Sequence, residues 1–114
     1  MKTLDDIRLS PKDRSAIQAA AAVLREKFPV EQIVLFGSKA RGEDDPESDI
    51  DLLVLTSRPL SDRDESEVTR ALLALELDLA VVISPLLVCV DDWREGFYQV
   101  LPIRREIERD GVAA

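Results

Sequence analysis

Asp49 and Asp51 stand one residue apart at the opening of an apolar run, Ile50-Asp51-Leu52-Leu53-Val54-Leu55. On a strand, residues two apart project to the same side, so the two carboxylates face together while Ile50, Leu52 and Val54 face away. Like charges held that close repel, and a divalent cation between them relieves the repulsion. Upstream, a shorter apolar run, Ile33-Val34-Leu35-Phe36, ends in Gly37-Ser38. Glycine there permits a sharp turn and a close backbone approach; Ser38 can cap a following helical turn whose free N–H groups suit a phosphate. A phosphate turn beside a paired-aspartate metal site is the equipment of nucleotide chemistry. Ser38 as a nucleophile is disfavoured, because the chain has no histidine and no lysine evidently positioned to activate the hydroxyl.

These side chains have to be carried by buried strands. The runs 33–36 and 50–55, bounded by turn residues, read as two of them. Leu79-Ala80-Val81-Val82-Ile83 reads as a third, with Asp78 at its entrance as the third carboxylate. Glu76 shares the strand parity of Asp78 but is assigned to the end of the preceding helix. Pro85 is expected to end the third strand, leaving 86–90 as an edge strand or extended connection. An isolated Asp-x-Asp is more often a solvated strand opening. Its weight here comes from Gly37-Ser38 one strand earlier and Asp78 one strand later.

Helices are expected around the strands. Ser10-Pro11 supplies an N-cap and first helical position, Asp13 falls in the first turn, and Ile17, Ala20, Ala21, Leu24 and Phe28 recur at helical spacing up to Pro29. Ser61 with Asp64 resembles a capping box, opening a second long helix with Val68, Leu72 and Leu75 on its buried stripe and Asp62, Asp64, Glu65 and Glu67 solvated. Asp91 is read as the cap of a short helix carrying Trp93, and a last helix covers about 100–109 and stops at Gly111. Trp93, Phe97 and Tyr98 are read as core or partner surface, and Cys89 as a small buried side chain. Residues 43–47, Glu-Asp-Asp-Pro-Glu, form a solvated acidic loop. Arg41, beside the phosphate turn, either offsets triphosphate charge or braces that loop.

The chain has 114 residues, enough for one domain over 1–114. Hydrophobic content of 46% with 33% charged residues is that of a soluble globular protein. No apolar run approaches a membrane span and no signal peptide opens the chain, so a cytoplasmic location is expected. A single cysteine excludes an internal disulfide and a cysteine metal cluster, and the lack of histidine leaves only oxygen ligands, which points to magnesium or manganese. A net charge of −8 argues against a nucleic-acid backbone as main partner and against a template-directed polymerase.

Gly37-Ser38-x-Ala40-Arg41-Gly42, followed by Ser48-Asp49-x-Asp51-Leu52, resembles the signature of the polymerase-beta-type nucleotidyltransferases, and most of all the minimal nucleotidyltransferases, many of them antitoxins paired with helical HEPN toxins. The resemblance covers almost the whole chain. It implies an α/β (α+β) core, a small mixed sheet packed by helices. It also implies two magnesium ions held by Asp49, Asp51 and Asp78, with Asp78 helping to take the acceptor's proton. Gly37 and Ser38 would bind the β- and γ-phosphates of ATP. The implied reaction is transfer of AMP to a hydroxyl, a tyrosine of the HEPN partner. Larger members of the superfamily carry helical additions for the acceptor that this sequence lacks, so a partner chain or a second copy is expected to present it. Two alternatives are the catalytic half of a two-chain transferase acting on a small molecule, and a non-catalytic antitoxin that masks its partner.

Overall fold

Alternation along the two central strands sets the architecture. In the computed structural model, which describes residues 1–43 and 46–114, strand β3 (Ile50–Thr56) sends Ile50, Leu52 and Val54 into one core and Leu53 and Leu55 into another. Strand β2 (Val30–Phe36) pairs with it antiparallel and divides in the same way, Ile33 and Leu35 to one side and Val34 to the other. A strand apolar on both faces must be covered on both faces. On the first side lie α1 (Pro11–Lys27) and α3 (Asp62–Leu79), contributing Ile17, Leu24, Val68 and Leu72. On the second side α4 (Val90–Glu95) brings Trp93 and α5 (Pro102–Asp110) brings Ile107.

The mixed sheet has five strands. β4 (Ile83–Cys89) runs parallel to β3, reached through α3, and forms one edge. The other edge is built by β1 (Lys2–Thr3) and β5 (Val112–Ala113), giving the order β1-β5-β2-β3-β4. Phe36 pairs with Asp51, and Asp51 in turn with Ser84, so the C-terminal end of β2 and the N-terminal ends of β3 and β4 meet.

The local helix signals act as expected. Ser10 Oγ accepts from the Asp13 N–H at 3.0 Å with Pro11 opening α1. Ser61 and Asp64 form a reciprocal capping box, with Ser61 Oγ accepting from the Asp64 N–H at 3.1 Å. Each such cap satisfies backbone donors that have no partner inside the helix.

The third strand is displaced from its expected place. Helix α3 runs on to Leu79, because Val68, Leu72, Leu75 and Leu79 continue one helical stripe against the core. Ala80 then adopts the left-handed conformation (φ 53°), and β4 starts only at Ile83. Asp78 therefore sits exposed in the last turn of α3, not at the mouth of a strand. Pro85 lies within β4 instead of ending it, since an edge strand has one side on which a missing N–H costs no ladder bond. Asp91 lies in the first turn of α4 and not at its cap, which is Cys89. The last helix begins at Pro102, after a 3₁₀ turn over Phe97–Val100 that leaves Phe97 exposed while Trp93 is buried. Cys89 is half-buried. Of the acidic loop, Asp44 and Asp45 lie outside the described residues.

Candidate active site

The turn after β2 and the carboxylate of β3 are in direct contact. Gly37 has φ 76°, and a Cβ built on it would collide with Asp51 Oδ2. Two independent requirements thus fall on one residue: a left-handed backbone, and no side chain between the turn and the carboxylate. The short helix α2 (Gly37–Arg41) follows at once, with Phe36 at its cap position and no side-chain capping bond. Ser38 is accordingly the second residue inside the helix and does not cap it. Gly42, at φ 71°, ends the turn, and its neighbour Glu43 donates its N–H to the Ser38 carbonyl at 3.0 Å.

Lys39 holds this turn against α1. Its ammonium donates to Asp13 Oδ2 at 2.8 Å, with side-chain exposures of 1% for Lys39 and 9% for Asp13. Although it stands beside the Gly37-Ser38 turn, Lys39 is buried against an acid on the first turn of α1. Arg41 keeps its head at the surface and donates from Nε to Glu43 Oε2 at 3.0 Å, so it braces the start of the acidic loop.

Asp51 is half-buried and Asp49 exposed. Burial, and then the charge of Asp49, push the Asp51 carboxyl above its ordinary value of 3.8, against an opposing pull from Arg41. Ser84, the in-register neighbour of Asp51, donates its hydroxyl to Asp49 Oδ2 at 3.2 Å. A cavity of about 390 Å³ opens beside this group, lined by Gly37, Ser38, Arg41 and Asp51 and, from α5, by Glu106 and Asp110. A larger one, about 610 Å³, lies around Lys2, Ala40, Arg41 and Arg109 and includes neither Asp49 nor Asp51.

Gly37, Ser38, Arg41 and Asp51 thus share one cavity; Asp49 does not line it, and is hydrogen-bonded to Ser84, the strand neighbour of Asp51. Asp78 is not brought to them. Among the described residues no three carboxylate, thiol or imidazole groups gather to hold a metal ion. Two mutually repelling carboxylates with a hydroxyl beside them nevertheless fit a hard, oxygen-ligated cation that completes its shell with water or substrate oxygens, as magnesium does. Ser84 and the α5 acids were not singled out from sequence. Ser84 carried a usable signal, a lone hydroxyl in the apolar run Val82-Ile83-Ser84-Pro85. Glu106 and Asp110 carried none, since acids are ordinary on an exposed helix face.

A mixed sheet whose central strands bring a Gly-Ser turn onto a paired carboxylate defines the class of domain. Residues 17–112 match the family described as the nucleotidyltransferase domain. The chain belongs to that family. Two curated relatives come from Methanocaldococcus jannaschii, both named as candidate protein adenylyltransferases. MJ0141 is 30% identical over 87 residues, covering 76% of this chain and 80% of the relative. MJ1379 is 43% identical over 54 residues, 47% of this chain, so the match spans about half the length of that relative (48%). Among solved structures, a candidate minimal nucleotidyltransferase is similar with a TM-score of 0.59 at 25% identity, covering 87% of this chain and 89% of the other. A complex of a tri-AMPylated Shewanella oneidensis HEPN toxin with an MNT antitoxin contains the same fold, with a TM-score of 0.56 at 18% identity over 90% of this chain and 70% of that one.

Proposed function

We propose that this chain transfers AMP from ATP, with a divalent cation, to a hydroxyl on a partner protein, a tyrosine of a HEPN-type toxin that is thereby neutralised. The observation that carries the reading is the contact of the Gly37 turn with Asp51, which sets the turn read as a phosphate cradle directly beside a carboxylate read as a cation ligand. The names of the relatives, and the AMPylated toxin beside an antitoxin of this fold, supply the acceptor class.

In such a transfer the acceptor oxygen bonds to the α-phosphorus and gives its proton to solvent, the bond from the α-phosphorus to the oxygen bridging to the β-phosphate breaks, and pyrophosphate leaves. A bound divalent cation supplies Lewis-acid polarisation of the phosphoryl oxygens and offsets their developing charge. Asp49 and Asp51 would hold that cation; magnesium suits the all-oxygen donor set, and manganese could replace it. Gly37 and Ser38 line the cavity in which the β- and γ-phosphates would bind. Arg41 lends positive charge at its rim while tied to Glu43. Asp78 has no part, being on α3, and the proton-accepting role attached to it falls with it.

One observation favours a second reading, in which the chain masks its partner without modifying it: among the described residues no third carboxylate joins Asp49 and Asp51, where the resemblance implied three. The test mixes the chain with magnesium, a HEPN-type helical protein, and ATP radiolabelled on either the α- or the γ-phosphate. Label on the partner from α-labelled ATP alone supports nucleotidyl transfer. A stable complex carrying no label from either supports masking.

A further inference from the structure

The parallel pairing of β4 with β3 places one polar side chain beside the two aspartates. Ser84 is the Cα partner of Asp51, so both project to the same face of the sheet. From there its hydroxyl reaches across to donate to Asp49 Oδ2 at 3.2 Å. Its flanking partners on β4, Ile83 and Pro85, pair with Ile50 and Leu52 and belong to the opposite face. Ser84 is thus the point at which β4 contributes to the carboxylate pair.

The backbone is arranged to keep it there. Pro85 follows directly, and the residue before a proline is held in the extended region. Asp49 needs such a restraint more than Asp51 does. It precedes the first residue of β3 and is exposed, whereas Asp51 lies in the strand against the Gly37 turn. A hydrogen bond to one carboxylate oxygen fixes the orientation of the other, which is how residues behind a metal ligand tune its affinity.

We propose that Ser84 is a positioning residue for the metal-binding pair: its hydroxyl orients Asp49 toward the site shared with Asp51. The inference rests on the reading of Asp49 and Asp51 as cation ligands. It adds that their geometry depends on a hydroxyl from the neighbouring strand. Ser84 supplies a neutral oxygen at this position, and a carboxylate in its place would raise the ligand charge that a bare cation meets.

The test is binding of Mn²⁺ alone to the full chain, without nucleotide, read by electron paramagnetic resonance or calorimetry, with folding checked by circular dichroism. Wild type is compared with Ser84→Ala, Ser84→Thr, Ser84→Asp and the double variant Asp49→Asn/Asp51→Asn. Ser84→Ala is expected to bind roughly tenfold more weakly, the loss usual for a partner behind a metal ligand. Ser84→Thr, which keeps the hydroxyl, stays near wild type, and Ser84→Asp binds about tenfold or more tightly through its added charge. Unchanged affinity in a folded Ser84→Ala overturns the role of Ser84 while leaving the aspartate site standing. So does an equal loss in Ala and Thr variants, which would mark Ser84 as a packing residue. A failure of Ser84→Asp to tighten binding overturns the placement of this position toward the cation. Wild-type binding no stronger than that of the double variant overturns the aspartate site, and the inference with it.

Discussion

Gly37 and Gly42 bracket the same short helix with nearly the same backbone, φ 76° and φ 71°, and differ in what a side chain would meet. At Gly42 there is open space; at Gly37 the Cβ would run into the Asp51 carboxylate. Replacing either by alanine forces an L-residue into the left-handed region, at about 1–2 kcal/mol. Gly42→Ala should show that loss and little more. Gly37→Ala must also push Asp51 off its rotamer, about 0.5–1.5 kcal/mol for a displacement of this kind, for a total of roughly 1.5–3.5 kcal/mol. The sharper difference is functional, because the displaced group is a proposed metal ligand. Denaturant midpoints, Mn²⁺ affinity and the rate of AMP transfer should be measured for both. The expected pattern is a folding loss in both, larger in Gly37→Ala, with metal binding and transfer lost only in Gly37→Ala. Normal transfer in Gly37→Ala, or equal functional loss in both variants, would refute the claim that the turn and the carboxylate form one site.

The buried pair of Lys39 and Asp13 should be costly to break from one side: Lys39→Met is expected to lose about 3–5 kcal/mol in chemical denaturation, with part of it recovered by adding Asp13→Leu. Asp51 predicts a pH effect in metal-free buffer. Because its folded pKa lies above the ordinary 3.8, the folded chain holds that proton more tightly than the unfolded chain. Stability therefore falls as pH rises from 3.8 through the raised value, and the penalty stays in full above it. Asp51→Asn should melt no lower than wild type near neutral pH without metal, lose that advantage below 3.8, and fail to gain from added magnesium. A lower metal-free melting temperature near neutral pH would contradict the sign. Asp78→Ala, at an exposed position near a helix C-terminus, should change stability by no more than about 0.5 kcal/mol and leave transfer intact. A collapse of turnover would return Asp78 to the site.

The central half of the fold was legible because its signals are local. Residues 33–36 and 52–55 are apolar over nearly their whole length, as strands covered on both faces must be, and Ser10-Pro11 and Ser61-Asp64 cap helices through contacts three residues long. The phase of Asp49 and Asp51 against Ile50, Leu52 and Val54 follows from the pleat alone. The run from Leu79 to Ile83 was misread because it joins the end of a helical stripe to the start of a strand without a turn residue. The break is at Ala80, a non-glycine in the left-handed region, which composition does not announce. Pro85 looked like a terminator because its tolerance depends on β4 being an edge, a property of the assembled sheet. Lys39 and Ser84 take their meaning from residues 26 and 35 positions away, which no local pattern could pair.

The most direct test of the account is AMP transfer to the helical partner by Asp49→Asn/Asp51→Asn, read by intact-protein mass spectrometry of the partner and accompanied by thermal melting of the variant. The account predicts a folded chain, melting at or above the wild-type temperature in metal-free buffer because the repulsion at Asp51 is gone, that still binds its partner and adds no AMP to it. Undiminished transfer by the folded double variant would contradict it and place the chemistry elsewhere on the chain.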